Sequence, residues 1–284
     1  MSKVSNGFDS TPQAIQSKCF LFTNGDEMTS PRVFRIAETQ VLYSELHAAL
    51  CEIGAPEWQV KADSSAELLT EFAGKSCYMS FSTELNQNLT AVGTKTNAEY
   101  VQNIVKQQHG SVLEHSTVTF FITNVSRVVT HEIVRHRAGT AFSQTSGRYV
   151  RGDKVEMYIP ECILDNQALV DVFDTAAHQM EENLAKLVEI SGINYMKDFA
   201  KKKELTSAFR RILGNGIANH IVVTANHRAW RHMIEMRTAE GAEEEIRIVF
   251  QDIFRELRKY YPSLYADMEF KDCSGAVVSQ YRKV

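Results

Sequence analysis

The sequence predicts an α+β fold in which a small β-sheet is flanked by helices. Helical patterns outnumber strand patterns, and the two kinds are mixed along the 284 residues. Residues 117–122 give the clearest strand, because Val118, Phe120 and Ile122 alternate and fall on one face. Residues 166–190 give the longest helix, with an amphipathic pattern throughout. The sequence contains no internal repeat or low-complexity tract, so it is typical of a mixed globular fold.

Shorter elements precede and follow these two. Short apolar or alternating runs predict strands at residues 19–23, 34–39 and 155–159, and residues 221–224 form a further apolar run. Apolar periodicity predicts the remaining helices at residues 45–53, 64–74, 96–109, 126–137, 205–213, 226–237 and 242–260. Gly110 and Gly214 directly follow two of these helices, as glycine often does where a helix ends.

The composition is that of an ordinary globular protein with a slightly acidic balance. Hydrophobic residues make up 44% and charged residues 23%. The chain has 31 Lys and Arg against 35 Asp and Glu, which gives a net charge of −4. A dedicated nucleic-acid-binding protein would normally carry net positive charge, so this class is disfavoured. The arginines are concentrated at a few places, which suits a small anionic ligand better.

The cysteines indicate a reducing compartment. They are odd in number and widely scattered, and no pair has metal-ligand spacing. The N-terminus lacks the apolar run of a signal peptide, and no stretch approaches the roughly 18 apolar residues that span a bilayer. We therefore expect a cytoplasmic protein without disulfides or a membrane partner. The cysteines are Cys19, Cys51, Cys77, Cys162 and Cys273.

The most informative segment is residues 135–149. It begins with Arg-His-Arg, continues through a short loop of small and hydroxylated residues, and ends in Ser-Gly-Arg-Tyr. Arginine is a permanently charged, fork-shaped donor that suits phosphates, and small residues let backbone N–H groups approach an anion. Basic residues near a helix C-terminus also favour the helix dipole, but that role explains none of the Ser-Gly-Arg-Tyr block. The segment predicts a site for a phosphorylated, ring-bearing ligand.

A second cluster of polar residues occupies the helix predicted at 226–237. If this segment is helical, polar groups lie on two opposite faces, which is unusual for a simple core helix. One interpretation is a solvated surface helix with an ion pair between Arg231 and Glu235. The other is a helix wedged between two subunits that serves a ligand on each side. The cluster comprises Asn226, Arg228, Arg231, His232 and Arg237.

A third segment, residues 109–115, directly precedes the clearest strand. It contains His109 and His115 with Glu114 between them. Their spacing and the lack of a further ligand do not support a metal site, and we predict none. A Gly-Ser turn that offers backbone donors to a ligand is one interpretation, and ordinary chemistry at the start of a strand is the other.

Taken in order, the three segments resemble the flavin-dependent thymidylate synthases, the ThyX family, from about residue 66 to 260. The resemblance implies a mostly antiparallel sheet flanked by helices in an obligate homo-oligomer, a homotetramer with shared active sites. It implies FAD as cofactor, 5,10-methylenetetrahydrofolate as one-carbon donor, NADPH as reductant, and conversion of dUMP to dTMP. Residues 61–284 would form the catalytic domain. Residues 1–60 would be an N-terminal extension whose role the sequence does not assign.

The resemblance also carries residue roles onto matching positions. It implies cofactor binding by His109, Ser111, Glu114, Arg135, His136, Arg137, Gln144, Asn226, Arg228 and His232. It implies nucleotide binding by Glu132, Gln144, Ser146, Gly147, Arg148, Arg210 and Arg237. Arg237 would help to ionise the uracil ring, because a fixed cation at the O2/N3/O4 edge stabilises the developing charge. Ser146 is the other catalytic candidate, in a hydrogen-bonding role, because the sequence shows no adjacent base that would make it a nucleophile.

Three positions depart from the family pattern. Eight residues separate Arg137 from Ser146 where the family usually has seven, Glu132 replaces a glutamine, and Gly241 replaces a histidine. The first two changes lie near the expected nucleotide. They leave two alternatives open, namely C5 methylation or hydroxymethylation of another pyrimidine nucleotide such as UMP or dCMP, and a catalytically silent homologue that binds flavin or nucleotide.

Overall fold

A computed structural model of the chain describes residues 20–21, 30–86, 95–147 and 155–282. The strands are β1 (Phe20–Leu21), β2 (Arg32–Glu38), β3 (Thr117–Ser126), β4 (Thr140–Gln144), β5 (Tyr158–Ile159), β6 (Ala218–Asn226), β7 (Met268–Phe270) and β8 (Val277–Ser279). The α-helices are α1 (Tyr43–Glu52), α2 (Ser65–Tyr78), α3 (Asn97–Lys106), α4 (Arg127–Ile133), α5 (Glu161–Leu164), α6 (Gln167–Ser191), α7 (Phe199–Phe209), α8 (His227–Thr238) and α9 (Glu244–Tyr260). Short 3₁₀ helices cover Gly110–Glu114, Ile193–Tyr195 and Arg210–Ile212.

A four-stranded antiparallel sheet in the order β2-β3-β6-β4 forms the centre of the molecule. Alternate side chains of β3 and β6 are fully buried on one face, where Val118 and Phe120 meet Ile221 and Val223. Helices α8 and α9 cover this face, and Trp230 Nε1 donates a 3.2 Å hydrogen bond to the Val118 carbonyl oxygen. The predicted α+β class with a small antiparallel sheet is confirmed.

The clearest predicted strand is confirmed and is longer than its sequence pattern. The alternation of buried and less buried side chains in β3 ends after Ile122. The register of its pairing with β6 shifts between Ile122 and Val125. Asn124 has a φ of 57° at this irregularity. Because the shift is absorbed within the strand, pairing continues to Ser126, opposite Ala218.

The helix predicted at residues 126–137 is only partly correct, because α4 ends at Ile133. After a turn, residues 140–144 form β4, which the sequence did not predict. These residues pair with β6 in antiparallel register from Thr140–Ala225 to Gln144–Ile221. Hydrogen bonds to an existing strand therefore decide the conformation of this segment, which has no helical or strand periodicity of its own.

Other boundaries also differ from the prediction. Helix α7 begins at Phe199 rather than near residue 205, because the Asp198 side chain accepts hydrogen bonds from the backbone N–H groups of Ala200 and Lys201. The strand predicted at 155–159 is reduced to β5, and α5 follows it. The hairpin of β7 and β8 was not predicted. No helix in the described ranges has the length and apolarity that a bilayer crossing requires.

The central sheet includes residues that the sequence analysis placed in the N-terminal extension. Strand β2 pairs with β3 from Arg32–Thr123 to Glu38–Val118. Val33 of this strand packs against the main hydrophobic core. The boundary at residue 60 stays a proposal, and part of the extension contributes an edge strand to the sheet.

Arg231 is not the solvated surface residue that one interpretation of this helix required. Arg231 is 1% exposed and binds Asp267 through two 2.8 Å hydrogen bonds. It also donates 2.6 Å to the Leu264 carbonyl oxygen and 3.2 Å to Ser279 Oγ. Burial by itself would raise the pKa of Asp267, but the bonds from Arg231 hold it below its ordinary value. One polar face of α8 is therefore buried against the C-terminal segment.

Replacing Arg231 with Met should strongly destabilise the fold. The change leaves the Asp267 carboxylate buried without its cation, which typically costs about 3–5 kcal/mol. Urea denaturation would measure the free energy of unfolding. Arg255→Met is the matched control, because Arg255 pairs with Asp252 at an exposed position and such pairs contribute about 1 kcal/mol or less. Equal losses in the two variants would contradict the structural role of the Arg231 pair.

A second buried contact fixes the start of α4. Ser126 ends β3 and caps α4 by accepting a hydrogen bond from Val129 N. The Glu245 carboxyl at the start of α9 in turn bonds Ser126, at 2.6 Å from its backbone N and 2.5 Å from its Oγ. Burial raises the pKa of Glu245 to about 8, although the bonds from Ser126 partly oppose the shift. This carboxyl is therefore protonated in the folded protein near neutral pH.

The wild-type protein should lose stability relative to Glu245→Gln as the pH rises from about 5 to 8. The pKa of Glu245 is higher in the folded than in the unfolded chain, so folding takes up a proton in this window. The stabilising contribution is complete below the unfolded pKa and declines by up to about 1.4 kcal/mol per pH unit. Denaturation of both proteins across the pH range measures the difference, and parallel curves would refute the assignment.

Candidate active site

Two cavities lie beside α4 and the segment that follows it. The first has a volume of 450 Å³ and is called here the triplet cavity. It is lined by Glu114, Arg135, His136, Arg137, Ala138, Gly139, Asn226, Arg228, Ala229, His232 and Met233. The second has a volume of 420 Å³ and is called here the Gly147 cavity. It is lined by Arg127, His131, Thr145, Gly147, Val155, Glu156, Arg210, Arg211, Leu213, Asn215, Ile217, Ala218 and Asn219.

The backbone after α4 is held in place where it passes β6. The His136 N–H donates 3.1 Å to the Ile133 carbonyl oxygen, and Thr140 Oγ1 donates 2.6 Å to the His136 carbonyl oxygen. The Asn226 N–H donates 3.0 Å to the Gly139 carbonyl oxygen. The Arg-His-Arg triplet therefore sits on a turn that is fixed at both ends, and it lines the triplet cavity.

Gly139 is required at its position for two reasons. Its φ is 69°, and a Cβ atom there would lie 2.4 Å from Asn226 Nδ2. Asn226 caps α8, because its Oδ1 accepts a 2.8 Å hydrogen bond from the Ala229 N–H. Asn226, a predicted ligand residue, thus has a structural role in capping α8, and Gly139 leaves the space that its side chain occupies.

Two predicted cofactor residues form an ion pair at the edge of the triplet cavity. Arg228 lies 2.5 Å from Glu114, and the two side chains are 45% and 46% exposed. A Cβ atom on Gly110 would lie 2.8 Å from Arg228 Nε, so the 3₁₀ helix Gly110–Glu114 packs closely on this arginine. An exposed pair of this kind contributes little to stability, so Arg228 can exchange Glu114 for an anionic ligand.

The remaining predicted cofactor residues are less closely associated with the triplet cavity. His109 and Ser111 lie at the start of the same 3₁₀ helix, where both are exposed. Gln144 ends β4, and its Oε1 accepts a 3.3 Å hydrogen bond from Asn219 Nδ2. None of these three side chains lines either cavity. The described residues also contain no group of three His, Cys, Asp or Glu side chains that could hold a metal ion.

His136 is neutral in this environment. Burial lowers the pKa of its imidazole to about 4, and the nearby Arg237, His232 and Arg135 act in the same direction. The rings of His136 and His232 meet edge to face, with their centroids 5.9 Å apart. The triplet cavity therefore combines the arginine cations with an uncharged imidazole.

Arg237 is engaged by Glu132 and His136. Its guanidinium forms an ion pair with the Glu132 carboxylate through NH1, donates 3.0 Å to the Glu132 carbonyl oxygen, and donates 2.8 Å from Nε to His136 Nε2. Both Arg237 and Glu132 lie outside the lining of the two cavities. The glutamate at position 132, where the family pattern has glutamine, thus supplies an ion-pair partner for Arg237.

The Gly147 cavity is lined by residues that sequence reasoning only partly found. Arg210 and Gly147 were predicted, but Arg127 and His131 were not. Burial lowers the pKa of Arg127, and the nearby Arg210 lowers it further. Within the described residues, neither of these arginines forms an ion pair with a carboxylate. The available signal for Arg127 and His131 was their spacing of four residues on α4, which places both on one face.

The Ser146–Arg148 block is only partly described. Ser146 is half-buried, and Gly147 lies against Arg210, whose Cβ would be 3.6 Å from a Cβ on the glycine. Arg148, a predicted nucleotide ligand, lies outside the described residues. The structure therefore brings Gly147 and Arg210 together and leaves the place of Arg148 a prediction.

Sequence comparisons identify the family. A family profile described as "Thymidylate synthase complementing protein" matches residues 60–263. Flavin-dependent thymidylate synthases from Mycolicibacterium gilvum and Mycobacterium tuberculosis are 38% and 37% identical to the chain over 227 and 240 residues. These alignments cover 78% and 82% of this chain, and 88% and 92% of the two relatives. The chain belongs to the flavin-dependent thymidylate synthases. The family predicted from the three sequence segments is confirmed.

Solved structures show the fold of the flavin-dependent thymidylate synthases in this chain. Thymidylate synthase X from Helicobacter pylori, determined with FAD and dUMP, superposes with a TM-score of 0.54 at 17% identity and covers 84% of this chain and 98% of that one. PolB from Streptomyces cacaoi, a UMP/dUMP methylase bound with 5-Br dUMP, superposes with a TM-score of 0.60 at 18% identity and covers 84% and 94%.

Replacing Gly139 with Ala should weaken flavin binding more than it weakens the fold. The new Cβ would displace the Asn226 side chain from the wall of the triplet cavity. Gly192→Ala is the matched control, because Gly192 has a φ of 61° and no neighbour within 4 Å of the Cβ position. Both changes should cost about 1 kcal/mol of backbone strain. Gly139→Ala should cost about 1 kcal/mol more, because displacing Asn226 weakens its cap on α8. Titration of FAD should show a weaker affinity for Gly139→Ala alone, and equal affinities would refute the close-contact argument.

Proposed function

We propose that this flavin-dependent thymidylate synthase converts dUMP to dTMP, with FAD in the triplet cavity, 5,10-methylenetetrahydrofolate as one-carbon donor and NADPH as reductant. The observation that carries the proposal is the triplet cavity itself. It joins the Arg-His-Arg turn, the Asn226 cap and the Arg228–Glu114 pair, which come from three distant parts of the sequence.

The chemistry of the triplet cavity fits a flavin dinucleotide. The exposed guanidinium groups of Arg135, Arg137 and Arg228 suit a diphosphate, because arginine binds phosphate oxygens through paired N–H groups. Asn226 and neutral His136 offer uncharged polar atoms to the ring system. The bound flavin would supply hydride chemistry, and the protein would supply position and electrostatics.

The Gly147 cavity fits the phosphate of the nucleotide. Arg127 and Arg210 approach each other without a carboxylate partner in the described part of the chain, so an anion between them would relieve their repulsion. Glu156 also lines this cavity and sets a limit on where the anion can lie. Ser146 and Gly147 would provide further hydrogen bonds, and Arg148 would complete the site.

Arg237 would act on the pyrimidine ring. Uracil C5 becomes a better nucleophile when negative charge is drawn to the O2/N3/O4 edge of the ring. A preorganised cation at this edge typically contributes a few kcal/mol. Glu132 and His136 hold the Arg237 guanidinium in one orientation, which favours this role. Because Glu132 pairs with Arg237, its carboxylate gives no separate support for UMP or dCMP as the substrate.

The arrangement supports an active site shared between subunits. Arg237 lines neither cavity, so a nucleotide held by Arg127 and Arg210 would need the Arg237 of another copy. Helices α6 and α7 and the segment between them also expose large apolar side chains, including Ile190 at 85% and Tyr195 at 92%. We propose the homotetramer of the family, located in the cytosol.

The decisive experiment is an anaerobic titration of the purified, FAD-loaded protein with NADPH. Flavin bleaching should be faster with dUMP than with UMP or dCMP, and methylenetetrahydrofolate should reoxidise the flavin with formation of dTMP. A protein that cannot be loaded with FAD would refute the assignment. Better reoxidation with UMP or dCMP than with dUMP would move the substrate to another pyrimidine nucleotide.

Replacing Arg127 with Gln should weaken binding of dUMP by about 10- to 100-fold, which corresponds to one charge-assisted hydrogen bond to the phosphate. Binding of deoxyuridine, which has no phosphate, should not change. Calorimetry with both ligands measures the two affinities. Arg255→Gln is the control, because Arg255 pairs with Asp252 and lies outside the cavity. An equal loss for both ligands would show that Arg127 does not bind the phosphate.

A further inference from the structure

We propose that Glu132 is a positioning residue that acts through Arg237 to fix the proton of His136 on Nδ1, so that the imidazole offers an N–H donor to the ligand of the triplet cavity. The proposal deepens the proposed function and rests on it for the identity of that ligand as FAD. The tautomer itself is a property of the protein alone.

The direction of one hydrogen bond determines the tautomer. Arg237 Nε always carries a hydrogen and can only donate. His136 Nε2 lies 2.8 Å away and must therefore accept through its lone pair. In a neutral imidazole the remaining hydrogen is then on Nδ1. The ring lines the triplet cavity, so its free polar group is an N–H donor suited to an oxygen or an unprotonated ring nitrogen.

The surroundings of His136 keep the ring neutral. Burial and three facing groups lower its pKa to about 4, and these groups are Arg237 and His232 from α8 and Arg135 from its own segment. The Glu132 carboxylate from α4 lies beyond Arg237 and compensates the arginine charge. Because protonation would convert Nε2 into a donor that faces the Arg237 donor, the hydrogen-bond geometry also disfavours the charged ring.

Glu132 determines whether Arg237 stays in this position. The guanidinium is 13% exposed and is held on the Glu132 side by the carboxylate and by the Glu132 carbonyl oxygen. If the Glu132 carboxylate is removed, the Glu132 carbonyl oxygen is the acceptor that remains for Arg237 on this side. The positive charge of Arg237 is then uncompensated. Arg237 can then turn toward solvent, and His136 Nε2 loses the donor that requires its lone pair. Glutamine at position 132 would keep an uncharged oxygen acceptor for Arg237. Part of the positioning of Arg237 would therefore remain.

The test measures the tautomer directly. The full-length, FAD-loaded protein labelled with ¹⁵N-histidine would be examined by long-range ¹H–¹⁵N NMR at pH 7.5, with the His136 signals assigned by their loss in His136→Asn. The wild-type protein should show a protonated Nδ1 and an unprotonated Nε2. Glu132→Ala should show a mixture of tautomers or protonated Nε2, and Glu132→Gln an intermediate state. Glu240→Gln is the control, since it removes an exposed carboxylate paired with Lys271 and should leave the wild-type tautomer.

Flavin affinity gives a second measurement. The dissociation constant for FAD should rise about five- to tenfold in Glu132→Ala, as expected for one weakened hydrogen bond, and should not change in Glu240→Gln. A wild-type His136 protonated on Nε2 would overturn the proposal without any variant. An unchanged tautomer in a folded Glu132→Ala or Glu132→Gln protein would overturn the role of Glu132. A wild-type protein with the Nδ1–H tautomer that forms no dTMP would refute the proposed function and leave this inference standing.

Discussion

The antiparallel pairing of β3 with β6 is the constraint on which the rest of the structure depends. Each strand ends in the residue that caps the next helix, Ser126 for α4 and Asn226 for α8. Because the strands run in opposite directions, these two caps lie at opposite ends of the pair. Helix α4 and the turn after it therefore lead the chain back along the sheet, so that Gly139 meets Asn226 and the Arg-His-Arg triplet faces α8.

The elements that could be predicted from the sequence are those whose own periodicity matches their final environment. The alternation of β3 and the long apolar patterns of α6 and α9 are of this kind, and the motif segments gave the family. Strand β4 could not be predicted, because five residues without alternation become a strand only when β6 is present to pair with them. The buried pairing of Arg231 with Asp267 could not be predicted either, because Asp267 lies 36 residues further along the chain.

The site residues also divide into those that sequence motifs identify and those that only the fold brings together. The triplet, Asn226 and Arg228 line one cavity, and their role in cofactor binding stays a prediction. The link from Glu132 to Arg237 joins residues 105 positions apart, so local spacing contains no information about it. The sequence identified Glu132 as a departure from the family pattern, and the structure supplies its physical meaning as a counter-charge. Arg127 was missed because its spacing of four residues to His131 is a weak signal by itself, and the approach of Arg210 is what makes it conspicuous.

The amide of Asn226 presents two different atoms to its surroundings. Its oxygen caps α8, while its nitrogen lies beside Gly139 at the wall of the triplet cavity. Serine or aspartate would cap a helix equally well, but neither places an N–H donor at that wall. The helix cap and the proposed ligand contact would therefore depend on one side chain. A side chain that only capped the helix, such as serine, would keep α8 in place and still leave that wall without its N–H donor.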